Sequence, residues 1–479
     1  MNGDSSQLKL DSREYIKIMK YSVNAGPRMD RLPVGSFHRR VMWLVGLGYF
    51  FDSFDNTLSS GVLASLLSSH WSTLELNSIF MSATFAGLTI GAALAGLLSD
   101  RYGRLFAYQF NLAIFGGLSL ICAFAPSMQW LIVLRFIMGI GMGAEYVMGF
   151  GLVTEFVPPQ HRGRYIGLLA LFGGVGVFVT SIFSMVMIPW AGWRAMFAIG
   201  GVGTLWVWWL RRHLPESPRW LERMGRGAEA EIILKRIEAE TGATELPLAT
   251  HTSSSLPPAR RVSVWVLFSR PVIRRTLLAI TVNVICLFGS YTLTGWMPTF
   301  FVRQGMSVTH SLAFNSAMMA GFVAGPVLCM VFSDRVGRRW GLSVLGAMCA
   351  GVGAVYPFLT SALAIVACGF LMVTVVSAFL YTASGINPEL FPTDYRFRGS
   401  GVAQMFGRLG LVVSPFIVLG LFNRYGIGGV VGALAGMYLF AALLMAVAGV
   451  ETNQQSLESL DPEMMADTPE GMPSAAPRG

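Results

Sequence analysis

The sequence has few charged residues for its length, because Asp, Glu, Lys and Arg together make up 13% of its 479 residues. Soluble globular domains contain about 25% charged residues. Hydrophobic residues account for 53% of this chain, and its mean hydropathy is +0.57. So little charge cannot cover the surface of a soluble protein of this size. The composition therefore predicts a membrane protein with many spanning segments.

Cysteine is also scarce, and its positions exclude two kinds of site. The five cysteines are Cys122, Cys286, Cys329, Cys349 and Cys368. All of them fall inside apolar stretches, where a thiol behaves as a small apolar side chain. None has the close spacing that is typical of metal ligands. We therefore predict neither a disulfide nor a metal site.

The apolar stretches lack the residues of an enzyme active site. They contain no histidine, no paired nucleophile and base, and no glycine-rich phosphate loop. The sequence thus predicts a protein that is not an enzyme and that uses no cofactor. The first 40 residues are polar and lack an apolar core followed by a cleavage site, so we expect no secretory peptide to be removed.

The sequence contains twelve apolar stretches, and a membrane-spanning helix needs about 20 apolar residues. In the first half they cover 41–66, 78–98, 105–125, 130–153, 165–188 and 193–210. In the second half they cover 276–299, 309–332, 341–359, 362–385, 400–422 and 428–449. The stretches are continuously apolar, without the alternation of barrel strands. They predict an all-α membrane protein with twelve transmembrane helices.

One short motif occurs twice. Ser-Asp-Arg-Tyr-Gly-Arg at 99–104 returns as Ser-Asp-Arg-Val-Gly-Arg at 333–338, an offset of 234 residues. The same offset relates three further pairs, which are Glu155 and Glu389, Pro158 and Pro392, and Arg162 and Arg396. A fixed offset between matching segments indicates an internal repeat. The twelve spans are therefore predicted to form two six-helix pseudo-repeats.

The repeat and the polar segments predict five regions. They are an N-terminal segment (1–40), a first bundle (41–210), a linker (211–275), a second bundle (276–450) and a tail (451–479). The linker contains an amphipathic stretch at 228–240 that predicts a short helix. The tail is acidic and rich in Pro, Met and Ala, which is typical of disorder.

Arginines lie on one side of the predicted membrane. They precede the first span and occupy the loops after spans two and four, whereas the loops 67–77, 126–129 and 189–192 contain no Lys or Arg. Positive residues favour the cytoplasmic side, so both termini are predicted to be cytoplasmic. The net charge of +9 follows from this asymmetry. We therefore do not expect nucleic-acid binding.

The repeated loops resemble the signature of the major facilitator superfamily. Motifs at three further positions, which are 215–220 (Pro-Glu-Ser-Pro-Arg-Trp), 388–393 (Pro-Glu-Leu-Phe-Pro-Thr) and the Glu-Thr at 451–452, are similar to the sugar-porter-like branch of bacterial metabolite carriers. One departure is Val450, which stands where that branch has proline; the Lys-Gly that usually follows is absent too. The resemblance implies transport by alternating access, a multi-pass location in a bacterial inner membrane and a monomer.

The resemblance also implies a cytoplasmic gate made of loop carboxylates and arginines. The gate residues would be Asp100, Arg101, Arg104, Glu155, Arg162, Glu216, Arg219, Asp334, Arg335, Arg338, Glu389, Arg396 and Arg398. Such pairs would close the inside in one state and break when the two halves rock. The alternative is that these charges only set the topology.

Five ionisable residues within the spans have no charged counterpart in the repeat. They are Asp52, Asp55, Arg135, Glu145 and Arg408. The offset relates them to Cys286, Gly289, Gly369, Phe379 and Gly174. A charge at bilayer depth is costly and usually functional. We therefore assign these residues to function and the repeated ones to the scaffold.

The first-half charges suggest proton coupling. Asp52 and Asp55 lie three residues apart on one helix face, and two neighbouring carboxylates in a low dielectric cannot both ionise cheaply. At about 1.5 Å per residue, Asp55 and Arg135 reach a similar depth. The resemblance pairs these two as the proton site; a purely structural ion pair is the alternative. Glu145 is either a second proton site or a structural partner.

Arg408 is the candidate for substrate binding. It lies near the predicted midplane, where a forked guanidinium suits a carboxylate; a salt bridge to Asp52 or Glu145 in the empty carrier is the alternative. Three aromatic residues, Tyr291, Trp296 and Tyr381, together with Asp52, are the other candidates for the cavity wall. Aromatic residues in spans also serve for packing.

These residues predict proton-coupled uptake of a small organic acid, such as an aromatic carboxylate. The expected partners are the substrate, protons and the lipid bilayer. Span seven lacks the paired glutamines that sugar porters use on hydroxyls, which counts against a sugar. A sugar or other metabolite symporter and a passive uniporter remain alternatives, and a non-transporting membrane sensor is a further one.

Overall fold

The computed structural model describes residues 23–243, 264–391 and 396–449, and within these ranges the secondary structure is helical, without β-strands. The first half contains α1 (Ala25–Asp30), α2 (Ser36–Ser68), α3 (Leu74–Tyr102), α4 (Arg104–Cys122), α5 (Met128–Phe156), α6 (Pro159–Ala191), α7 (Trp193–Arg211), α8 (Pro218–Arg223) and α9 (Gly227–Thr241). The second half contains α10 (Arg270–Arg303), α11 (Val308–Met319), α12 (Gly321–Val336), α13 (Arg338–Val355), α14 (Ala362–Glu389) and α15 (Arg396–Ala448). Two short 3-10 turns, Val264–Phe268 and Tyr356–Phe358, precede α10 and follow α13.

Twelve helical segments of the described chain cross the membrane, which confirms the predicted fold class. Nine stretches are long and apolar enough by composition. One of them, Gly399–Ala448, holds two spans that meet at Gly426, where φ is 65°. The remaining two are α2, with 33 residues, and α7, with 19 residues, whose apolar windows have a lower mean hydropathy than those of the nine. In α2 the lower hydropathy reflects the aspartates of the candidate site.

The second-half spans differ in detail from the predicted ones. The predicted span 309–332 consists of two helices, α11 and α12, that meet at Ala320. Pro326 lies inside α12 and cannot donate to the carbonyl of Phe322, which weakens the helix just after this junction. The spans predicted at 400–422 and 428–449 run together as α15, with a bend at Gly426. The helix predicted at 228–240 is present as α9.

The described chain divides into two compact units, and the first covers 23–58, 87–180 and 191–243. In this unit α4 packs against both α5 and α7. Glycines set the crossing of α3 and α5: a Cβ on Gly91 would overlap the backbone at Ile140, and one on Gly143 would overlap the backbone at Leu88. Small residues spaced by four let helix backbones approach closely in a membrane. The close crossing fixes α5, which carries Arg135 and Glu145.

The second unit covers 59–86, 181–190, 264–391 and 396–449. It therefore includes the end of α2, the start of α3 and the end of α6. Two hydroxyl groups tie these ends to second-half helices, since Ser82 Oγ donates to the carbonyl of Val412 at 2.7 Å and Ser316 Oγ lies 2.7 Å from the carbonyl oxygen of Ser181. The border between the units thus runs through α2, α3 and α6.

Candidate functional site

The first pair of the site joins Asp55 on α2 to Arg135 on α5. Both residues have 0% of their surface exposed. Arg135 Nη1 donates to Asp55 Oδ2, and Nη2 donates to the backbone carbonyl of Asp55 at 3.2 Å. Ser119 Oγ lies 3.2 Å from Asp55 Oδ1 and 3.0 Å from the carbonyl oxygen of Phe197. The structure thus brings together the two residues that the family resemblance paired; their role in proton transfer stays a prediction.

Aromatic packing shields this pair from water. The guanidinium carbon of Arg135 lies 5.9 Å from the centre of the Phe197 ring. Asp52, three residues before Asp55 on α2, is also buried, with 4% exposure. The polar stripe predicted on α2 is therefore inside the first unit. In such a dry environment the charge of an aspartate depends on its protein partners.

A second buried pair joins Glu145 on α5 to Arg211 at the end of α7. Glu145 has 1% and Arg211 0% exposure, and Glu145 Oε1 lies 2.7 Å from Arg211 Nη2. Arg211 also donates through Nε to the carbonyl of Leu44 at 2.9 Å and through Nη2 to that of Val45 at 3.2 Å. Its guanidinium carbon lies 3.8 Å above the ring centre of Tyr108 on α4. The second pair thus joins four helices, α2, α4, α5 and α7.

Sequence reasoning missed Arg211 and Tyr108. Arg211 directly follows the predicted span 193–210, where it reads as one of two loop arginines. The structure separates them, because Arg211 is buried and Arg212 is exposed. Gly48 on α2 marks the place that Arg211 fills, since a Cβ there would overlap its guanidinium and lie 2.6 Å from Glu145 Oε1. Gly48, one turn before Asp52, was the available signal.

The repeated loop of the first half forms part of the predicted cytoplasmic gate. Arg104 Nε donates to Glu155 Oε1 at 3.0 Å, and its Nη1 donates to Ser99 Oγ at 2.8 Å. Glu216 accepts hydrogen bonds from the backbone N–H groups of Arg104 and Leu105, at 3.0 and 3.1 Å, at the start of α4. Burial raises the pKa of Glu216 above its usual range, although these backbone bonds oppose the shift. The two carboxylates fasten this loop to α5 and to the linker.

Asp30 contacts two residues of the predicted gate, and the sequence did not suggest it. Its Oδ1 lies 2.9 Å from Arg162 Nη2 and 2.7 Å from Arg219 Nη2. Both arginines belong to the predicted gate, and within the first unit both contact this one carboxylate at the end of α1. Arg219 also donates to the carbonyl of Glu155 at 3.2 Å. The N-terminal segment is thus joined to the residues of the predicted gate.

Charged contacts dock α1 on the linker helices α8 and α9. Glu222 on α8 accepts from the backbone N–H groups of 23–25, at 2.8 to 2.9 Å. Arg28 pairs with Glu231 and forms a two-pronged contact with Glu238, at 2.9 and 2.7 Å. Arg31 donates to the same Glu238 at 2.9 Å. The hydrogen bond from Arg28 lowers the pKa of Glu238, and burial only partly opposes this.

The structure does not describe the side chains of several residues of the predicted gate. They are Asp100, Asp334, Arg335, Arg338, Glu389, Arg396 and Arg398. The remaining gate arginine, Arg101, is exposed, with its guanidinium carbon 5.5 Å from the ring centre of Tyr102. The contribution of these eight residues to a gate stays a prediction.

The predicted substrate residues of the second half are spread along three helices. Arg408 on α15 and Tyr381 on α14 are half-buried. Tyr291 on α10 lies edge-on to Phe85, with ring centres 5.0 Å apart. Trp296, also on α10, is 2% exposed and stacks on Phe300 at 5.4 Å. Its ring therefore belongs to a packed aromatic stack, while the roles of all four residues in binding stay predictions.

Metal ligands do not cluster in the described part of the chain, where no group of three or more His, Cys, Asp or Glu side chains lies together. The described structure contains all five cysteines, each as a free thiol.

Comparison with known proteins identifies relatives over nearly the whole chain. A family model described as "Sugar (and other) transporter" matches residues 49–464. The inner membrane metabolite transport protein YdjE of Escherichia coli is 36% identical, and the alignment covers 91% of this chain and 98% of that protein. The niacin transporter NiaP of Acinetobacter baylyi is 30% identical over 90% of this chain and 98% of its own.

Solved structures share the fold at lower identity. The proton:xylose symporter XylE bound to 6-bromo-6-deoxy-D-glucose superposes with a TM-score of 0.68 and 20% identity, over 90% of this chain and 99% of that one. A partially occluded inward-open form of XylE from E. coli gives a TM-score of 0.70 and 19% identity, over 88% of this chain and 100% of that one. At this identity the likeness establishes the major facilitator fold.

Proposed function

This chain belongs to the sugar (and other) transporter family of the major facilitator superfamily, and we propose that it is a proton-coupled carrier that takes up a small organic acid. As a member of this family it is a multi-pass membrane transporter and not an enzyme. Its relative YdjE is named an inner membrane protein, which supports a bacterial inner membrane as its location.

The observation that carries the proposal is the Asp55–Arg135 pair. Both groups are fully buried, and the carboxylate contacts a guanidinium and a hydroxyl. Protonation of Asp55 cancels the attraction that holds Arg135, so proton binding changes how α2 and α5 are joined. A carrier needs such a change to couple proton movement to its own rearrangement. Asp52 lies close enough along α2 to share the proton.

Two observations support a carboxylate as the substrate. Arg408 is half-buried on α15, inside a stretch that is apolar enough to span the membrane. A guanidinium there binds a carboxylate with two parallel hydrogen bonds. NiaP is named a niacin transporter, and niacin is a pyridine carboxylate. We therefore use nicotinate as the first probe and nicotinamide as its neutral counterpart.

The test uses purified carrier in liposomes with an alkaline interior. A gradient of one pH unit supplies about 1.4 kcal/mol per proton, enough for about tenfold accumulation of a neutral proton–acid pair. Wild-type protein should accumulate labelled nicotinate, and Asp55→Asn should lose accumulation but retain exchange of internal for external nicotinate. Thr180→Val is the control, because Thr180 is equally buried and its hydroxyl donates to the carbonyl of Gly176 within its own helix.

Three results would contradict the proposal. Equal loss of accumulation and exchange in Asp55→Asn, at normal protein levels, would exclude a specific proton role for Asp55. Accumulation of xylose but not of any carboxylate would instead favour a sugar symporter, which is the activity named for XylE. Uptake that never exceeds the external concentration would indicate a passive uniporter.

A further inference from the structure

The Glu145–Arg211 pair is unusual because its buried carboxylate has poor hydrogen-bond geometry. Glu145 has two polar neighbours, Arg211 and the Tyr108 hydroxyl, and Arg211 Nη2 lies 2.7 Å from Oε1. Within the described residues neither neighbour approaches Oε1 or Oε2 with the direction of a regular hydrogen bond. Both carboxylate oxygens of Asp55, by contrast, have a hydrogen-bond partner. Hydrogen bonds to a carboxylate stabilise its charged form. Of the two buried pairs, the one at Glu145 therefore opposes protonation less.

The surroundings of Arg211 stabilise its positive charge even when Glu145 is neutral. Its Nε and Nη2 donate to the carbonyls of Leu44 and Val45, and its guanidinium lies against the face of Tyr108. A cation is stabilised both by carbonyl oxygens and by an aromatic face. Neutralising Glu145 therefore does not leave Arg211 as an isolated buried charge. The usual penalty for breaking a buried pair is reduced at this place.

The position of the pair continues the line of carboxylates on α2. Glu145 Oε1 lies beside Gly48, and Asp52 follows one helical turn later, with Asp55 next along the same face. At the other end of the line, Arg211 is buried and its neighbour Arg212 is exposed. The titratable and charged groups that act on Glu145 are Arg211 from α7 and Tyr108 from α4, and Asp52 from α2 acts in turn on Tyr108. Arg211 and the predicted topology place this end near the cytoplasm.

We propose that Glu145 is a second proton-exchange site of the carrier, with Arg211 as its counter-ion, through which a proton from Asp55 leaves toward the cytoplasm. The proton binds the Glu145 carboxylate and gives a neutral carboxyl group. Arg211 stays charged meanwhile, because the carbonyls of Leu44 and Val45 continue to accept its hydrogen bonds. Release of the proton restores the ion pair. Asp52 lies between the two sites. This inference rests on the proposed proton coupling and adds residues to it.

The transport test compares three variants with wild type in the same liposomes. Glu145→Gln should accumulate nicotinate less than wild type, by about tenfold under one pH unit, and should retain exchange. The double variant Glu145→Gln/Arg211→Gln removes both charges, so it should recover any loss of protein level and still fail to accumulate. Glu229→Gln is the control, since Glu229 is an exposed carboxylate on α9 that also pairs with an arginine.

A structural role predicts a different pattern. If the pair only holds α5 to α7, the double variant should fold and accumulate nicotinate like wild type, which would overturn the inference. Arg211→Lys is the second check, because a retained cation should preserve part of the coupling, whereas Arg211→Gln should not. Accumulation by Glu145→Gln at the wild-type level would also exclude Glu145 as a proton site.

A measurement without substrate separates this inference from the proposed function. The thermal midpoint of the purified protein is followed from pH 5 to pH 8, since a group that binds a proton in the folded state makes stability depend on pH. Glu145→Gln should have a flatter curve than both wild type and Glu229→Gln. A curve identical to wild type would overturn proton binding at Glu145 even if the carrier accumulates nicotinate. A flatter curve without nicotinate accumulation would contradict the proposed function alone.

Discussion

Two fully buried carboxylate–guanidinium pairs lie within the first unit, and burying each pair costs desolvation free energy. Removing a charge from water costs several kcal/mol, and only a well-placed partner offsets this. Asp55 and Arg135 meet this condition through several hydrogen bonds, while Arg211 meets it through backbone carbonyls and Tyr108. Glu145 has the least well-placed partners of these groups, and we therefore propose that it binds and releases a proton. The buried charged residues of this unit thus differ in how strongly their polar contacts stabilise the charged form.

Gly48 provides a way to disturb the second pair without changing a charge. A Cβ there overlaps the Arg211 guanidinium, so Gly48→Ala should displace it and cost about 1–3 kcal/mol of stability, as overpacking does. The measurement is the thermal midpoint of the purified protein. Gly151→Ala is the control, because nothing lies within 4 Å of a Cβ at Gly151. Equal midpoints for the two variants would show that Arg211 moves aside freely.

Arg408 should decide how tightly an acid binds. Replacement of Arg408 by Ala should weaken nicotinate binding by about 10–100-fold, the value of a charge-assisted bond of about 1.5–3 kcal/mol. Arg408→Lys should retain only part of the nicotinate affinity, since an ammonium lacks the forked geometry of a guanidinium. The measurement is the nicotinate concentration for half-maximal exchange. Arg424→Ala, an exposed arginine on the same helix, is the control; a matching loss there, or none in Arg408→Ala, would contradict the assignment.

Among the elements, α1 has only six residues and is held by its contacts rather than by its own helix propensity. Glu222 satisfies the N–H groups at its start, and Arg28 and Asp30 connect it to the linker and the gate. Asp30 pairs with two arginines of the predicted gate, so the N-terminal segment competes with any other carboxylate for them. The elements outside the membrane are therefore part of the predicted gate.

The docking of α1 should depend on pH through Glu238. Its pKa in the folded state lies below the usual value of 4.5, so the stabilisation is complete above about pH 4.5 and is lost as the pH falls through the lowered value. Hydrogen exchange of residues 23–31, corrected for its intrinsic pH dependence, should therefore show less protection in acid. Glu238→Gln should lower the protection already at pH 7 and flatten this curve. Unchanged protection would mean that α1 is held by apolar contacts alone.

At the scale of the whole molecule, ligand binding should stabilise the carrier. A ligand at 100 times its dissociation constant adds about 2.7 kcal/mol to the stability of the state that binds it. Nicotinate should raise the thermal midpoint, and more so at acidic pH, because proton and substrate binding are linked in a symporter. Nicotinamide and xylose serve as controls. A shift with xylose and none with carboxylates would contradict the proposed substrate class.

The sequence predicted most of the fold because the relevant signals are local. A run of apolar residues determines whether a segment spans the membrane, and the 234-residue offset predicts a repeated unit. The weaker points were junctions: Ala320 divides one predicted span, and Gly426 joins two others. At each junction the backbone conformation of a single residue decides whether the helix continues or bends, and apolar composition does not reveal that conformation.

For the candidate site, the sequence by itself singled out five charges within the predicted spans, among them Asp55, Arg135 and Glu145. Only the tertiary structure decided their partners. Arg211 is buried whereas Arg212 is exposed, and Asp30 contacts two arginines of the predicted gate. The physical reason is that apolar content acts along the chain, whereas an ion pair acts over a few ångströms between helices that are far apart in sequence.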